Sequence, residues 1–487
     1  MRAHKRFFGL CITVILLLGM LVVPAAAAEP QTQWRGTFNH TDNNTVVNVP
    51  LPSDPDLVEQ VWSSEVGNNT IVIVDDAIYT YNGINPELWS SYEDGGTFYK
   101  LDADTGEVLQ SVSCDYGTTF YYSYSIYAND MIYVGCPTAI MAFDPQTCSM
   151  VWDTPVTERY YPTLQYVNGC VVSNGTVLNA DTGAQIASID TPNWGAGWSN
   201  GVEIGGKFYV ADATESLYEI DTTTWNITNT WNSGLSAAAC CPGVMYSNGR
   251  LYWGGVSGNV HSMQVSEAGM NASSAKTVDA GIKCYGAPVA HNGRIYVAGM
   301  TTNASDTNVG RIAVSVHQAE SLSVIYQTGN QISGKIQGTP ILAVTDAGTV
   351  HIYVQGYTKP GIVYYLEDSD SKTSGELVAL VTPEQNNYAW GQLACDQDGA
   401  LYVTNDNGYL MKYQTKRQTP PSTQNPLVGG DVDLDGEITM RDAIQLARYL
   451  ADWDVSVDKE QADANGDSEI NMMDVVLLRR YMAGWYS

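Results

Sequence analysis

Positive charge is scarce in this chain: 23 Lys and Arg stand against 52 Asp and Glu, with only six His, for a net charge of −29 over 487 residues. Such a surface repels phosphate backbones and anionic lipid, so nucleic acid and membrane surfaces are disfavoured partners, and carboxylate-bound cations are favoured. Charged residues of both signs make up only 15% of the chain, which argues against a coiled coil or a disordered protein. There is no C-x-x-C pair, P-loop, H-E-x-x-H or G-x-S-x-G, so four common kinds of metal, nucleotide and hydrolase site have no basis here. The remaining histidines (His40, His261, His291, His317, His351) are scattered and form no triad. Beyond residue 28 no apolar run is long enough to span a bilayer. What the chain has is Tyr (31), Trp (12) and Gly (45) in a composition that is 44% apolar, which predicts turn-rich β structure with a sizeable core. The length suits two or three domains.

Met1 to Ala28 reads as a secretory signal peptide: Arg2, Lys5 and Arg6 lead, Phe7 to Val23 is apolar, and Ala26-Ala27-Ala28 offers a cleavage site before Glu29. The other reading is a membrane anchor, for which the apolar run is a little short. Cleavage removes basic residues and no acidic ones, leaving a still more acidic extracellular protein, free or attached to a scaffold or cell surface. Eight cysteines remain: Cys114, Cys136, Cys148, Cys170, Cys240, Cys241, Cys284 and Cys395. The even count permits disulfides without assigning them.

The last sixty residues carry a duplication. Asp431, Asp433, Asp435, Glu437 and Asp442 recur thirty-two positions later as Asp463, Asn465, Asp467, Glu469 and Asp474, and Leu446, Arg448 and Tyr449 recur as Leu478, Arg480 and Tyr481. Each copy spells a calcium loop. Side-chain oxygens sit at positions 1, 3, 5 and 12 and a backbone carbonyl is used at position 7, as a hard cation requires. Gly436 permits the sharp turn of the first loop, whereas Ser468 replaces it in the second. Both loops close with Asp rather than Glu, which can ligate if the following helix sits closer. Amphipathic helices are expected at Ala443 to Ala451 and Val475 to Ala483, and prolines at 420, 421 and 426 exclude one before the first loop.

This loop-then-helix half-motif, twice over, resembles a type I dockerin. The resemblance implies a small all-α domain folded around two Ca2+ ions that docks on a cohesin module of a scaffold protein, as in a cellulosome. The partner-facing positions of that family fall here on Met440, Arg441, Met472 and Met473, with Arg448, Arg479 and Arg480 on the helices. Methionines suit an adaptable apolar contact, and internal packing is their other use. They depart from the small hydroxyl residues of the best-known dockerins. The domain is placed at 427–487, and 414–426 (Gln414 to Pro426), rich in Pro, Thr and Gln, is expected to be a semi-extended tether.

Residues 29–413 show a unit of about 35 to 48 residues repeated along the chain. An apolar strand leads to a tight turn, as at Asn168-Gly169, Gly205-Gly206, Asn248-Gly249, Asn292-Gly293 and Asp398-Gly399, with Asp75-Asp76 and Asn129-Asp130 as weaker copies. Further strands follow, with a second turn such as Leu101-Asp-Ala-Asp104-Thr-Gly106 or Asn179-Ala-Asp181-Thr-Gly183. Four short strands per unit predict an all-β propeller. Units start near Ile71, Ser125, Thr163, Val202, Val244, Val289, Ile341 and Gln392, and Leu57 to Ser63 is a spare strand that would complete the last unit. Eight blades result, with seven as the alternative. The turn and a following Trp resemble the repeat of pyrroloquinoline-quinone-type (PQQ-like) propellers, as does the opening Gln33-Trp34-Arg35-Gly36. Trp152 fits that pattern, Trp62 and Trp231 are candidates for the same part, and all three are expected to be inter-blade anchors.

Aligning repeats on their hairpin glycines places Tyr160, Tyr161, Gly197, Trp198, Cys240, Cys241, Cys284, Tyr285, Trp390 and Gly391 at the start of the inner strands, with Tyr121 and Tyr122 as less certain equivalents. They form either an aromatic ligand rim around one mouth or inter-blade packing. Cys240 and Cys241 could form a vicinal disulfide of the kind seen in some quinone dehydrogenases, Cys240 could pair with Cys284, or each could be a buried thiol. Sparse basic residues argue against a cradle for the quinone's carboxylates, and no Asp stands out as catalytic. The favoured reading is a secreted, non-catalytic propeller that binds a glycan or a protein in polysaccharide degradation. The contrary one is an enzyme, a polysaccharide lyase or glycoside hydrolase, with a quinone-dependent dehydrogenase third.

Overall fold

The structure is a computed structural model that describes residues 46–482, apart from 48, 67–70, 83–94, 118–123, 157–162, 191–200, 237–242, 303–310, 330–331, 346–347, 390–392, 417–426, 452, 454 and 467. The leader and Gln33 to Gly36 therefore lie outside the described residues. The chain divides into two compact units, residues 1–415 and 416–487.

The first unit is a propeller of eight sheets, and the seven-bladed alternative is set aside. Blade 1 comprises Ile71–Val74, Ala77–Asn82, Gly96–Asp102 and Val108–Cys114, running antiparallel from the innermost strand outward. Blades 2 to 7 begin at Tyr124, Gln165, Val202, Val244, Ile282 and Ile341, and blade 8 at Leu393. Blade 6 has its inner strand in two pieces, Ile282–Cys284 and Val289–His291, both paired with Arg294–Thr301. That is why its sequence-level start fell at Val289. The spare strand is Val58–Ser64, antiparallel to Leu410–Thr415, so the beginning of the ring supplies the outermost strand of its last blade. Strand Leu410–Thr415 runs two residues into the segment expected as tether. Val46–Val47 adds a parallel strand beside Ile341–Val344, on the channel side of blade 7.

Turn chemistry sets the strand order. At the hairpins between first and second strands, Asn168, Asn248 and Asn292 take φ between 45° and 48° and the following glycines φ of 75° to 77°, the doubly left-handed turn that Asn-Gly favours. Between third and fourth strands an Asp or Asn folds its own turn. Asp102 Oδ1 accepts from the N–H groups of Asp104 (3.0 Å) and Thr105 (2.8 Å), and Asp144, Asn179 and Asp221 repeat the arrangement.

Because that side chain takes the inward N–H groups, the carbonyl of the next residue turns to the preceding blade. Ala103 O accepts from Trp62 Nε1 (3.2 Å) and Lys412 Nζ (2.9 Å) of blade 8. Pro145 O accepts from Tyr79 Oη (2.7 Å) and Lys100 Nζ (3.1 Å) of blade 1. Ala180 O accepts from Trp152 Nε1 (2.9 Å) and Tyr133 Oη (3.3 Å) of blade 2; in blade 6, where Gln318 stands in place of the Asp or Asn, Ala319 O still accepts from Tyr252 Oη (3.3 Å) of blade 5. The donors lie in strands whose other atoms are buried between blades, as where Phe98 of blade 1 stacks on Phe143 of blade 2 with centroids 4.1 Å apart.

The Trp of one blade and the Gly of the next are one steric unit. A Cβ on Gly183 would lie 2.5 Å from the Trp152 ring, and one on Gly106 would lie 2.6 Å from Trp62. Between blades 3 and 4 the sizes are exchanged: Trp225 fills the glycine's place at φ 56° and packs against the small Ala187. Trp231 does not play this part. Its ring meets Trp253 of blade 5 edge-on at 5.5 Å.

A buried imidazole is left without compensation. His317, in the third strand of blade 6, is fully buried and neither ring nitrogen has a partner among the described residues. Burial pushes its pKa down to about 4.

The second unit holds α1 (Met440–Leu450), the short α2 (Lys459–Ala462) and α3 (Met472–Met482). Its core is Leu427, Val432, Ala443, Leu446, Ala462, Ala464, Val475 and Leu478, so equivalent positions of the two copies face each other.

Two predictions follow from the blade interfaces and the buried imidazole. Trp152→Ala should cost about 3 kcal/mol by opening a cavity, and Gly183→Ala about 2 kcal/mol by striking the indole. The double variant should cost clearly less than their sum, read from thermal unfolding of the propeller, because the Trp is what Gly183→Ala collides with. His317 is neutral when folded and titrates at ordinary pH when unfolded, so acid favours the unfolded chain. Stability should fall as pH drops from about 6.5 to 4, by about 3 kcal/mol from this group, and then level off. In His317→Leu that component of the pH dependence should vanish.

Candidate metal centre and candidate ligand face

The two loop-helix copies are tied together by their twelfth residues. Asp442 is fully buried. Its Oδ2 accepts from the N–H of Thr439 (2.8 Å), Thr439 Oγ1 accepts from the N–H of Arg441 (3.2 Å), and this cap starts α1 three residues before the expected Ala443. Its Oδ1 accepts from the N–H of Asp433 (3.2 Å) in the loop. Asp474 repeats this, with Oδ2 on Asn471 N (2.8 Å) and Oδ1 on Asn465 N (3.2 Å), and α3 likewise begins three residues before Val475. An Asp suffices in place of Glu because each helix starts within one short side chain of its loop.

In the first loop the carboxylates of Asp431, Asp433 and Asp435 place one oxygen each within 4.8 Å of the others. Backbone N–H groups hold them: Asp431 accepts from Asp435 N (3.0 Å) and Gly436 N (3.0 Å), and Asp435 from Glu437 N (3.0 Å). All donors are hard oxygens from one short loop, which fits a calcium ion rather than a thiolate- or imidazole-seeking metal. In the second loop Asp463 accepts from Ser468 N (2.9 Å), while Asp467 lies outside the described residues. The side chains of Glu437 and Glu469 are exposed, in keeping with ligation through position 7's carbonyl.

The loops solve the same backbone problem in opposite ways. The fourth and sixth residues have positive φ in both: Leu434 (59°) and Gly436 (93°) in the first, Gly466 (74°) and Ser468 (72°) in the second. Each loop thus spends its glycine at one site and strains an ordinary residue at the other.

The expected partner-facing residues are on the surface. Met440, Met472 and Met473 are exposed, as are Arg441, Arg448, Arg479 and Arg480. Arg441 is engaged, with Nε 3.2 Å from Asp433 Oδ2 and Nη1 3.5 Å from Asp435 Oδ2, whereas its counterpart Met473 offers no cation to the second loop. Arg448 lies 5.5 Å over the Trp453 ring. Ile444 (47% exposed) and Trp453 (61% exposed) belong to this surface and were missed. Ile444 could have been found as an apolar residue one helical turn from both Met440 and Arg448. Trp453 recurs thirty-two positions later as Trp485, so the duplication itself could have found it had the comparison been carried past Tyr449 and Tyr481.

On the propeller, Tyr160, Tyr161, Trp198, Trp390, Tyr121, Tyr122, Gly197, Gly391, Cys240 and Cys241 lie outside the described residues. Tyr285 is described and only 8% exposed, packed with Tyr124 and Met300. Cys284 is buried with its Sγ 3.1 Å from Gly286 O, and its expected pairing with Cys240 lies outside the described residues. Cys114, Cys136, Cys148, Cys170 and Cys395 are free and buried, and desolvation pushes Cys114 and Cys136 up to about 11.

The most buried ionic groups serve the blade joints. Asp368 accepts from Arg294 Nη1 (3.0 Å), Tyr296 Oη (2.8 Å) and Tyr326 Oη (2.7 Å), joining blades 6 and 7. Glu215 of blade 4 meets His261 Nε2 (2.9 Å) and Ser257 Oγ (2.7 Å) of blade 5. Each carboxylate has its partners at hydrogen-bond distance, which is what allows it to be buried.

Comparison with known proteins agrees with this division. Residues 429–483 match the family model of the dockerin type I domain. No curated protein matches the chain. Among solved structures, BamB from Moraxella catarrhalis aligns with a TM-score of 0.54 and 12% identity over 73% of this chain and 99% of its own, a likeness of fold. The computationally designed Ika8 protein (TM-score 0.48, 11% identity, 73% and 98% covered) is also similar. So is the quinohemoprotein alcohol dehydrogenase ADHIIG from Pseudomonas putida HK5 (0.46, 11%, 93% and 95%). The molecule is an eight-bladed propeller followed by a small helical module, and that module matches the type I dockerin domain. Among the described residues no helix is long and apolar enough to cross a membrane.

Giving each loop the glycine it lacks should relieve its strain. Leu434→Gly and Ser468→Gly should each raise the stability of the calcium-loaded module by about 1 kcal/mol, measured by chemical denaturation, and Gly436→Ala or Gly466→Ala should lower it by a similar amount.

Proposed function

We propose that the chain is exported by its first 28 residues and docks, through two calcium-filled loops, on a cohesin of a cellulosome-like scaffold. There it presents the propeller to a glycan or protein in polysaccharide degradation. The observation that supports docking most directly is the pair of buried aspartates, Asp442 and Asp474. Each binds its own loop and its own helix cap, so a loop closed around an ion also fixes the helix that carries the docking residues. In the first loop Asp431, Asp433, Asp435 and Asp442, with the carbonyl of Glu437, would hold one ion. In the second, Asp463, Asn465, Asp467 and Asp474, with the carbonyl of Glu469, would hold the other. What calcium supplies is cross-linking of a short acidic loop that repels itself without it. Met440, Met472 and Met473 provide the apolar contact, and Arg441, Arg448, Arg479 and Arg480 face an acidic surface on the partner.

The test is retention of the full chain on an immobilised type I cohesin in calcium and in chelator. Retention in calcium and release in chelator are expected, with Asp431→Ala plus Asp463→Ala failing to bind and losing calcium-dependent helical circular dichroism. Retention unaffected by chelator would overturn the calcium-dependent mode. Absence of binding to any cohesin of a representative panel would overturn the docking assignment.

A further inference from the structure

The antiparallel meander puts two kinds of connection on the same face of the ring: those leading from one blade to the next, and those between second and third strands. In the sector of blades 6 to 8 these connections are fixed to one another by backbone contacts. Ile336 pairs with Gly356, Tyr357 N donates to Lys335 O (2.7 Å), and Asp406 N donates to Tyr388 O (2.8 Å). The side chains that this places together are unlike those of the blade joints. Tyr357 and Tyr388 stack with centroids 4.9 Å apart and planes at 23°, and Tyr388 is 39% exposed. The Lys335 ammonium lies 5.1 Å over the Tyr357 ring and 5.7 Å over that of Tyr285. Asp406 is buried beside them, and burial together with its charge pushes the Tyr357 phenol up to about 12, so that hydroxyl stays protonated.

We propose that this sector is the ligand site of the propeller and that its ligand is a neutral, hydroxyl-rich sugar chain. The inference rests on the glycan reading of the preceding section and narrows it to one place and one chemical class. A stacked pair of tyrosines, Tyr388 exposed and Tyr357 half-buried, offers a flat apolar face with a polar edge, which matches the C–H face of a pyranose ring and its peripheral hydroxyls. The lysine ammonium donates only, and the tyrosine hydroxyls both donate and accept, so sugar hydroxyls, which do both, can meet either. The platform is held by backbone contacts among four connections, so binding orders little protein. The charge balance selects against acidic polymers: one half-buried ammonium is set beside a buried carboxylate, on a protein of net charge −29. Tyr285 and Asp406 act as positioning residues, the first under Lys335 and the second behind Tyr357.

The experiment is native affinity electrophoresis of the full chain in gels containing hydroxyethylcellulose, galactomannan or polygalacturonate. Retardation is expected in at least one neutral polymer and not in polygalacturonate. Tyr388→Ala should weaken the association about tenfold and Lys335→Met several-fold, while Ile186→Ala, at an exposed site on the rim of blade 3, should leave it unchanged. An unaltered unfolding temperature and unaltered cohesin retention would show that the variants are folded. Wild-type retardation that persists in both Tyr388→Ala and Lys335→Met would overturn this site while leaving the glycan reading intact. Lack of retardation of the wild type in every gel would overturn the glycan reading and this inference with it. Retardation strongest in polygalacturonate would overturn the neutral class.

Discussion

Four joints of the ring, those into blades 1 to 4, depend on one carbonyl oxygen each, that of the residue after the Asp or Asn in the turn between third and fourth strands. The side chain of that Asp or Asn takes the turn's own N–H groups, and the next carbonyl is left facing the neighbouring blade. A buried carbonyl needs a donor, and the sequence provides one, into blades 1 to 3 from a Trp, Tyr or Lys whose remaining atoms are apolar enough to fill the same interface. Each such bond is worth about 1 kcal/mol, but leaving the acceptor bare would cost more, so the donor's identity is constrained even where its neighbours vary. This accounts for a chain rich in Tyr and Trp and poor in charge.

The pairing of Trp with Gly is the steric side of the same joint. A left-handed turn residue without a side chain makes the floor on which the indole lies, and where a side chain is present there the facing residue shrinks, as Ala187 does before Trp225. The repeat therefore looks degenerate along the sequence while remaining complementary across each interface.

That difference explains what could be read in advance. The hairpin turns and the missing last strand are local or compositional signals, and they located seven of the blades to within two residues and identified Val58–Ser64 as the closing strand. Blade 6 was placed late because its inner strand is interrupted between Cys284 and Val289, and nothing in a short apolar run announces a break. Trp231 was grouped with Trp62 and Trp152 by residue type, although its partners are Trp253 and His261 in the strands of the next blade and not a turn residue there. In the C-terminal module the acidic periodicity and the duplication pointed to Asp431, Asp433 and Asp435, whose carboxylates the first loop brings together. The helix starts were set too late because the capping role of Asp442 and Asp474 was hidden behind their expected role as ligands. The exposed Trp453 was passed over although it repeats as Trp485, because the two copies were compared only through their loops and helices.

The closing strand has a mechanical consequence. The chain leaves the propeller from Leu410–Thr415, which is hydrogen-bonded on one edge to Leu401–Thr404 and on the other to Val58–Ser64. Tension from a tethered tail enters along the axis of that strand and loads both ladders in shear, so many hydrogen bonds must fail together before the strand slips. A tail leaving from an outermost strand would be held on one edge only. By lending Val58–Ser64 to the outside of its last blade, the protein moves its point of attachment one position inward, where pulling is resisted from both sides.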